Sequence, residues 1–332
     1  MDSSLHHLAG QRLMLGFDGT CLNRDLEKII EKYQAGGIIL FRNNIQSPDQ
    51  LAQLCTDAQS FARSCGRPPL FIAVDQEGGK VARLPAPFTR FRGNPGIRSR
   101  TEAENFARIT ARELQEAGIN MNLAPVMDVV PPNADGVMKD RSFPGDARTV
   151  ADLGTTVIKT LQQNKIMAVA KHFPGIGRTV LDSHFQLPVL EADLPTLAAS
   201  DLVPFKAAVH ADVSGIMLTH VVYPGLDDQW QASLSVKIAR DLLRDALEFQ
   251  GLVLTDDLDM KAIGHDMATC MAQVLASDID LALICHKGPS IENAFQALVG
   301  LLQSDLSLQA KADVCLERIF RYKKKYLDWH PA

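Results

Sequence analysis

Cysteines are few and show no paired spacing: the six, at 21, 55, 65, 270, 285 and 315, are scattered through a chain of 332 residues. That excludes a disulfide scaffold and a zinc site built on closely spaced thiolates, and leaves them as small core residues in a reducing compartment. No apolar run approaches the ~20 residues needed to span a bilayer. Met1 to Gln11 carries two histidines and an acidic residue but no long apolar core, so a secretory signal is not expected and the cytoplasm is the expected compartment. Basic charge is not in excess, because 34 Lys and Arg stand against 39 Asp and Glu, a formal net charge of −5. The one basic run, Arg321 to Lys325, reads as the solvated last turn of a final helix, matched to the helix dipole. Neither nucleic acid nor a membrane is an expected partner, and a monomer is expected. Also missing is the glycine-rich dinucleotide turn after the first apolar run, since Gly16-Phe17-Asp18-Gly19 does not spell it, which disfavours a doubly wound nucleotide-binding sheet.

What is present is ordinary in composition: 46% hydrophobic and 22% charged residues, as in a soluble globular enzyme. Short runs rich in Val, Ile and Leu recur at Arg12–Phe17, Gly37–Phe41, Leu70–Asp75, Asn120–Val129, Ile166–His172, Ser214–His220, Leu252–Asp256 and Leu281–His286. Continuous apolar character over so few residues suits strands buried on both faces. Between them lie stretches with helical spacing, such as Ser47–Cys65, Thr101–Ala117, Val150–Gln163, Leu194–His210 and Val236–Leu247. Ser47, followed by Pro48 and Asp49, and Ser235 are placed to cap two of them. Strand and helix in alternation call for right-handed crossovers between parallel strands, and eight such units call for a (β/α)₈ barrel. The chain exceeds the ~250 residues of a minimal barrel, so a single barrel domain over residues 1–332 is expected, with a helical tail over 307–327 packed outside it.

In such a barrel the chemistry gathers where the strands end. Here those ends are polar: Asp75-Gln76-Glu77 after strand three, Asp128 after strand four, Lys171-His172 at strand five, Thr219-His220 at strand six and Asp256-Asp257 at strand seven. One such residue alone is most simply a cap or an ion-pair partner. Convergence of five strand ends points to a polar ligand instead, because buried charges are costly unless they are used. From the residues alone the reading is a barrel hydrolase or lyase, with a Schiff-base aldolase on Lys171 left open.

The same residues resemble family 3 glycoside hydrolases, in the one-domain β-N-acetylglucosaminidase branch. The segment Lys171-His172-Phe173-Pro174-Gly175-Ile176-Gly177-Arg178-Thr179, ending in Asp182-Ser183-His184, is similar to that branch's hallmark loop. The likeness extends through Asp75-Gln76-Glu77-Gly78-Gly79, Asn122 to Asp128, Arg141-Ser142-Phe143, Thr219-His220-Val221 with Tyr223-Pro224, and Gly251 to Leu258. It runs in unbroken order from about Gly10 to His286.

The resemblance implies a retaining exo-β-N-acetylglucosaminidase with Asp256 as nucleophile, forming a covalent glycosyl-enzyme that water releases. It implies an acid/base made of His184 oriented by Asp182, on the loop after strand five, in place of the usual second carboxylate. An imidazole with pKa ~6.5 can give and regain a proton near neutral pH, so the exchange is chemically sound. By the same resemblance Asp75, Arg83, Arg141, Lys171 and His172 bind the terminal N-acetylglucosamine, while Asp128, Asp257 and His220 stand behind them as supports. Asp257 is the main rival to Asp256. No metal or organic cofactor is implied, and the implied substrates are peptidoglycan fragments carrying 1,6-anhydro-N-acetylmuramic acid. Two positions depart from the family pattern: Ile176 stands where His is common, and Arg178 where a smaller or acidic residue is frequent. The remaining alternatives are a phosphorylase, a broader β-glycosidase and a sugar-binding barrel that has lost catalysis.

Overall fold

The computed structural model describes residues 3–132, 134, 136–179 and 187–330. The eight apolar runs form a closed barrel of parallel strands: Leu13–Leu15, Gly37–Leu40, Phe71–Val74, Met121–Asn122, Met167–Phe173, Gly215–Leu218, Leu252–Asp257 and Leu281–Ile284. Each strand pairs with its sequence neighbours, and the first closes on the eighth through Leu13 to Leu15 against Ala282 to Ile284. Although the runs are apolar throughout, their residues divide strictly by alternation. Leu13, Leu15, Ile72, Val74, Ala168 and Ala170 face the helices, while Met14, Phe71, Ala73, Met167 and Val169 fill the interior. The barrel is thus a packed core with a second apolar layer between strands and helices.

The fourth run is expected as one long strand but contributes only Met121–Asn122 to the regular ladder. Pro125 has no N–H to donate, although the carbonyls of Ala124 and Pro125 still accept from Val169 and Lys171. The expected helix Leu194–His210 is broken into Leu194–Ala199 and Leu202–His210. The interruption carries the fully buried Asp201, whose carboxylate receives the Arg178 guanidinium 3.1 Å away. Ser47 caps its helix by accepting from the Gln50 amide, and Ser235 accepts from that of Ile238.

The C-terminal helix, Leu306–Leu327, does not simply lie outside. Ile319, Tyr322 and Tyr326 pack onto the interior cluster and close the N-terminal end of the barrel. Lys323 goes with them. It is 0% exposed, donates to Gln11 Oε1 at 2.7 Å and lies 5.2 Å from the centre of the Phe71 ring, so the basic run is not uniformly solvated as its sequence suggests. Burial pushes this amine well below the usual lysine range. Between the lowered folded value and the free-lysine pKa of ~10.4 the unfolded chain binds more protons than the folded one, and over that window wild-type stability gains with rising pH. Lys323→Met lacks that gain. Urea midpoints measured at pH 7 and pH 9 are expected to move in the wild type's favour as pH rises, and a pH-independent difference between the two proteins would show that Lys323 stays charged.

Candidate active site

Strand alternation decides which side chains reach the C-terminal mouth. Continuing the inward positions gives Asp75 after Phe71 and Ala73, Lys171 after Met167 and Val169, and Asp256 after Leu252 and Leu254. All three line a cavity of about 600 Å³, as do Arg83, Arg141, His172 and Asp257. His172 breaks the alternation where the register against the sixth strand shifts between Lys171 and Phe173.

Arg83 arrives by a hairpin. After Asp75, Gln76–Gly78 pairs antiparallel with Val81–Ala82, and the turn between them uses Gly78 and Gly79 at φ +81° and +64°. Those values suit glycine. A Cβ on Gly79 would also stand 2.8 Å from the Arg92 carbonyl oxygen. The Gln76 side chain fixes the return by accepting from the amides of Arg83 and Leu84. Arg83 Nη2 then lies 3.4 Å from Asp75 Oδ2.

The floor of the cavity is a chain of ion pairs. Lys171 Nζ sits 2.6 Å from Asp75 Oδ1 and 2.7 Å from Glu77 Oε1, and Arg141 donates to both Glu77 oxygens at 2.7 and 3.0 Å. Burial pushes the Asp75 carboxyl up, but Lys171 and Arg83 outweigh it and hold the group at about 2. Glu77 is likewise lowered, against its burial, by Lys171 and Arg141. Burial pushes Lys171 down, and its two carboxylates reverse this and raise it. A lysine held protonated between two carboxylates is a poor amine nucleophile, which removes the Schiff-base alternative. Glu77 is the hub that the sequence reading passes over. Its spacing of two from Asp75 was the available signal.

His172 is held from behind. Its Nδ1 lies 2.8 Å from Asp128 Oδ2, and Asp128 also accepts from the backbone amides of His172 and Ile176. Arg141 Nη2 approaches the other ring nitrogen, Nε2, to 3.3 Å. A guanidinium only donates, so Nε2 is the acceptor and the ring proton faces Asp128. His220 is fully buried, between the Ser233 hydroxyl at 2.6 Å and the Asp257 carbonyl at 2.9 Å. A carbonyl only accepts, so His220 Nε2 donates, and burial lowers its pKa.

The two adjacent acids differ. Asp257 Oδ1 accepts from the amides of Asp259 and Cys285, both at 3.0 Å, and burial raises its pKa. Asp256 Oδ1 accepts from the Asp257 amide at 2.9 Å. Burial pushes the Asp256 carboxyl up, while His220, His172, that amide and Lys171 together bring it below the usual value. Asp256 is therefore ionised and inward-facing, whereas Asp257 is engaged in tying the seventh strand to the eighth. Asp257, Asp259 and His286 bring their ligand atoms within 4.8 Å of one another, a spacing compatible with a cation.

Asp182 and His184 lie outside the described residues. Thr179 and Pro188, described on either side of residues 180–186, both line the cavity. Of the two departures from the family pattern, Ile176 lines the cavity and Arg178 pairs with Asp201. His286, Asp259 and Lys261 also line the mouth. Only strand closure places His286 opposite Phe41, and no local pattern marks it.

The model for the glycosyl hydrolase family 3 N-terminal domain matches residues 7–322. A β-hexosaminidase of Pseudomonas aeruginosa is 35% identical over 292 residues, covering 86% of each chain, and one of Methylobacillus flagellatus is 33% identical over 90% of this chain and 86% of its own. Among solved structures, a family 3 β-N-acetylglucosaminidase from Paenibacillus sp. str. FPU-7 superposes with a TM-score of 0.93 at 34% identity, over 99% of this chain. This chain spans only 64% of that longer protein. NagZ from Neisseria gonorrhoeae, in complex with N-trifluoroacetyl-D-glucosamine, superposes with a TM-score of 0.75 at 27% identity, over 92% of this chain and 98% of its own. On a family match that takes in nearly the whole chain, it belongs to glycosyl hydrolase family 3 and is a glycoside hydrolase.

Proposed function

We propose that this protein is a retaining exo-β-N-acetylglucosaminidase that removes terminal N-acetylglucosamine from peptidoglycan fragments bearing 1,6-anhydro-N-acetylmuramic acid. The observation that carries the reading is the pairing of one ionised, inward-facing carboxylate, Asp256, with a cradle of fixed donors and acceptors lining the same cavity. Asp75, Arg83, Arg141, Lys171 and His172 offer both kinds of hydrogen-bonding group to the hydroxyls of a terminal sugar. Because Glu77 holds Lys171 and Arg141, Asp128 holds His172 and Asp75 holds Arg83 before any substrate arrives, little reorganisation is needed on binding. Asp256 attacks the anomeric carbon as the leaving oxygen takes a proton from His184, whose ring Asp182 orients. Water, deprotonated by the same imidazole, then displaces Asp256, and the sugar leaves with its β configuration retained. The curated relatives named as β-hexosaminidases and the neighbouring N-acetylglucosaminidase structures support the choice of sugar.

The test uses the purified protein with aryl β-N-acetylglucosaminide and aryl β-glucoside at varied phosphate. The expected result is release of β-N-acetylglucosamine, with the glucoside slower by about 10²-fold or more. Sugar 1-phosphate as the product would replace the hydrolase reading by a phosphorylase. Equal rates on the two sugars would make it a broader β-glycosidase, and tight binding without turnover a sugar-binding barrel.

A further inference from the structure

The cavity has a graded wall. At its floor the Lys171 and Asp75 side chains are 3% and 14% exposed, whereas His286 at the end of the eighth strand is 72% exposed. A sugar seated on the floor is therefore followed, toward solvent, by whatever lies against His286. That residue is not a loose surface group. Its amide donates to Asp259 Oδ2 at 3.2 Å, and the amide of Cys285 before it donates to Asp257 Oδ1. Its Nδ1 lies 3.4 Å from Asp257 Oδ2 and 3.9 Å from Asp259 Oδ2. The ring stacks on Phe41 with centroids 6.0 Å apart and planes inclined by 25°. Phe41 in turn lies 5.4 Å from the Arg83 guanidinium, which Asp75 holds. Two near-parallel ring planes from just past the second and eighth strands are thus fixed to the same frame as Asp75 and Asp256.

From this geometry we infer that His286 with Phe41 is a platform for the second pyranose ring of the substrate, and so a specificity determinant for the leaving group. The C–H face of a pyranose is apolar and electropositive at its hydrogens, and it packs against a flat π face. His286 Nδ1 is the nitrogen turned to the carboxylates, so the Nε2 edge remains to meet a sugar oxygen. The inference rests on the glycosidase reading above and specifies which aglycones that site prefers.

The experiment compares N,N′-diacetylchitobiose, whose leaving group is a pyranose, with β-N-acetylglucosaminyl fluoride, whose leaving group has no ring. For His286→Ala the ratio of kcat/KM on chitobiose to kcat/KM on the fluoride is expected to fall about 10-fold, chiefly through KM, consistent with the worth of one ring contact. His286→Phe, which keeps a flat face, is expected to hold the ratio within about 3-fold of wild type. An unchanged ratio in His286→Ala overturns the platform, and if it comes with a loss on both substrates it marks a structural role through Asp257. A loss in His286→Phe as large as in the alanine variant overturns the stacking face. If the wild type turns over neither substrate, the glycosidase reading itself fails.

Discussion

Asp256→Ala is expected to give a folded protein whose kcat on aryl β-N-acetylglucosaminide is lower by on the order of 10⁴-fold or more, because covalent catalysis has no substitute once its carboxylate is gone. Folding should survive the change. Lys171 keeps Asp75 and Glu77, and the strand-closing contacts to the Cys285 and Asp259 amides belong to Asp257. Asp257→Ala should keep more activity, though it loosens the junction of the seventh and eighth strands and should lower the melting temperature more. An exchange of ranks in activity would move the nucleophile to Asp257. A fluorinated N-acetylglucosamine analogue that traps the glycosyl-enzyme should label the peptide spanning Leu254 to Leu258, and labelling elsewhere sinks the assignment. The protonation state favours Asp256 as well. Burial pushes the Asp256 carboxyl up, but His220, His172, the Asp257 amide and Lys171 together hold it below the usual value. A carboxyl lowered in the folded state adds stability above its unfolded pKa of ~3.9 and loses it as pH falls through the folded value. The stability gap between wild type and Asp256→Ala should therefore narrow in acid.

His184→Ala is the second large effect, and it separates the two halves of the reaction. With a poor leaving group, departure needs a proton, and the variant should be slower by about 10²–10⁴-fold, the usual span for general acid catalysis. A nitrophenol of low pKa leaves without one. Glycosylation then stays fast while deglycosylation lacks its base, so the glycosyl-enzyme should accumulate with a burst of phenol. Added azide needs no base, and it should speed turnover and give the β-glycosyl azide. Asp182→Asn should be a milder version, since it alters the ring's orientation and charge but keeps the ring. Equal losses with good and poor leaving groups, with no azide rescue, would make His184 a binding residue and require another acid/base.

The outline of this barrel is written locally. Eight short apolar runs separated by capped amphipathic stretches admit few topologies, because each parallel pair needs a helical crossover. Alternation then carries the inward face of each run to its polar end, so Asp75, Lys171 and Asp256 could be named as convergent before any contact was known. Local pattern could not show that Glu77 bridges Lys171 to Arg141, or that Asp257 gives its oxygen to the amide of Cys285, 28 residues on. It could not place His286 beside Phe41, which are joined only by closure of the barrel. Nor could it show that Lys323, inside a basic run, turns under the barrel floor while Lys325 pairs with the exposed Asp212. Strand periodicity is a property of neighbouring residues, and a chain carries it wherever it goes. Burial, ion pairing and the division of labour between two adjacent carboxylates depend on which distant segments arrive beside them, and those are decided only when the sheet closes and the helices cover it.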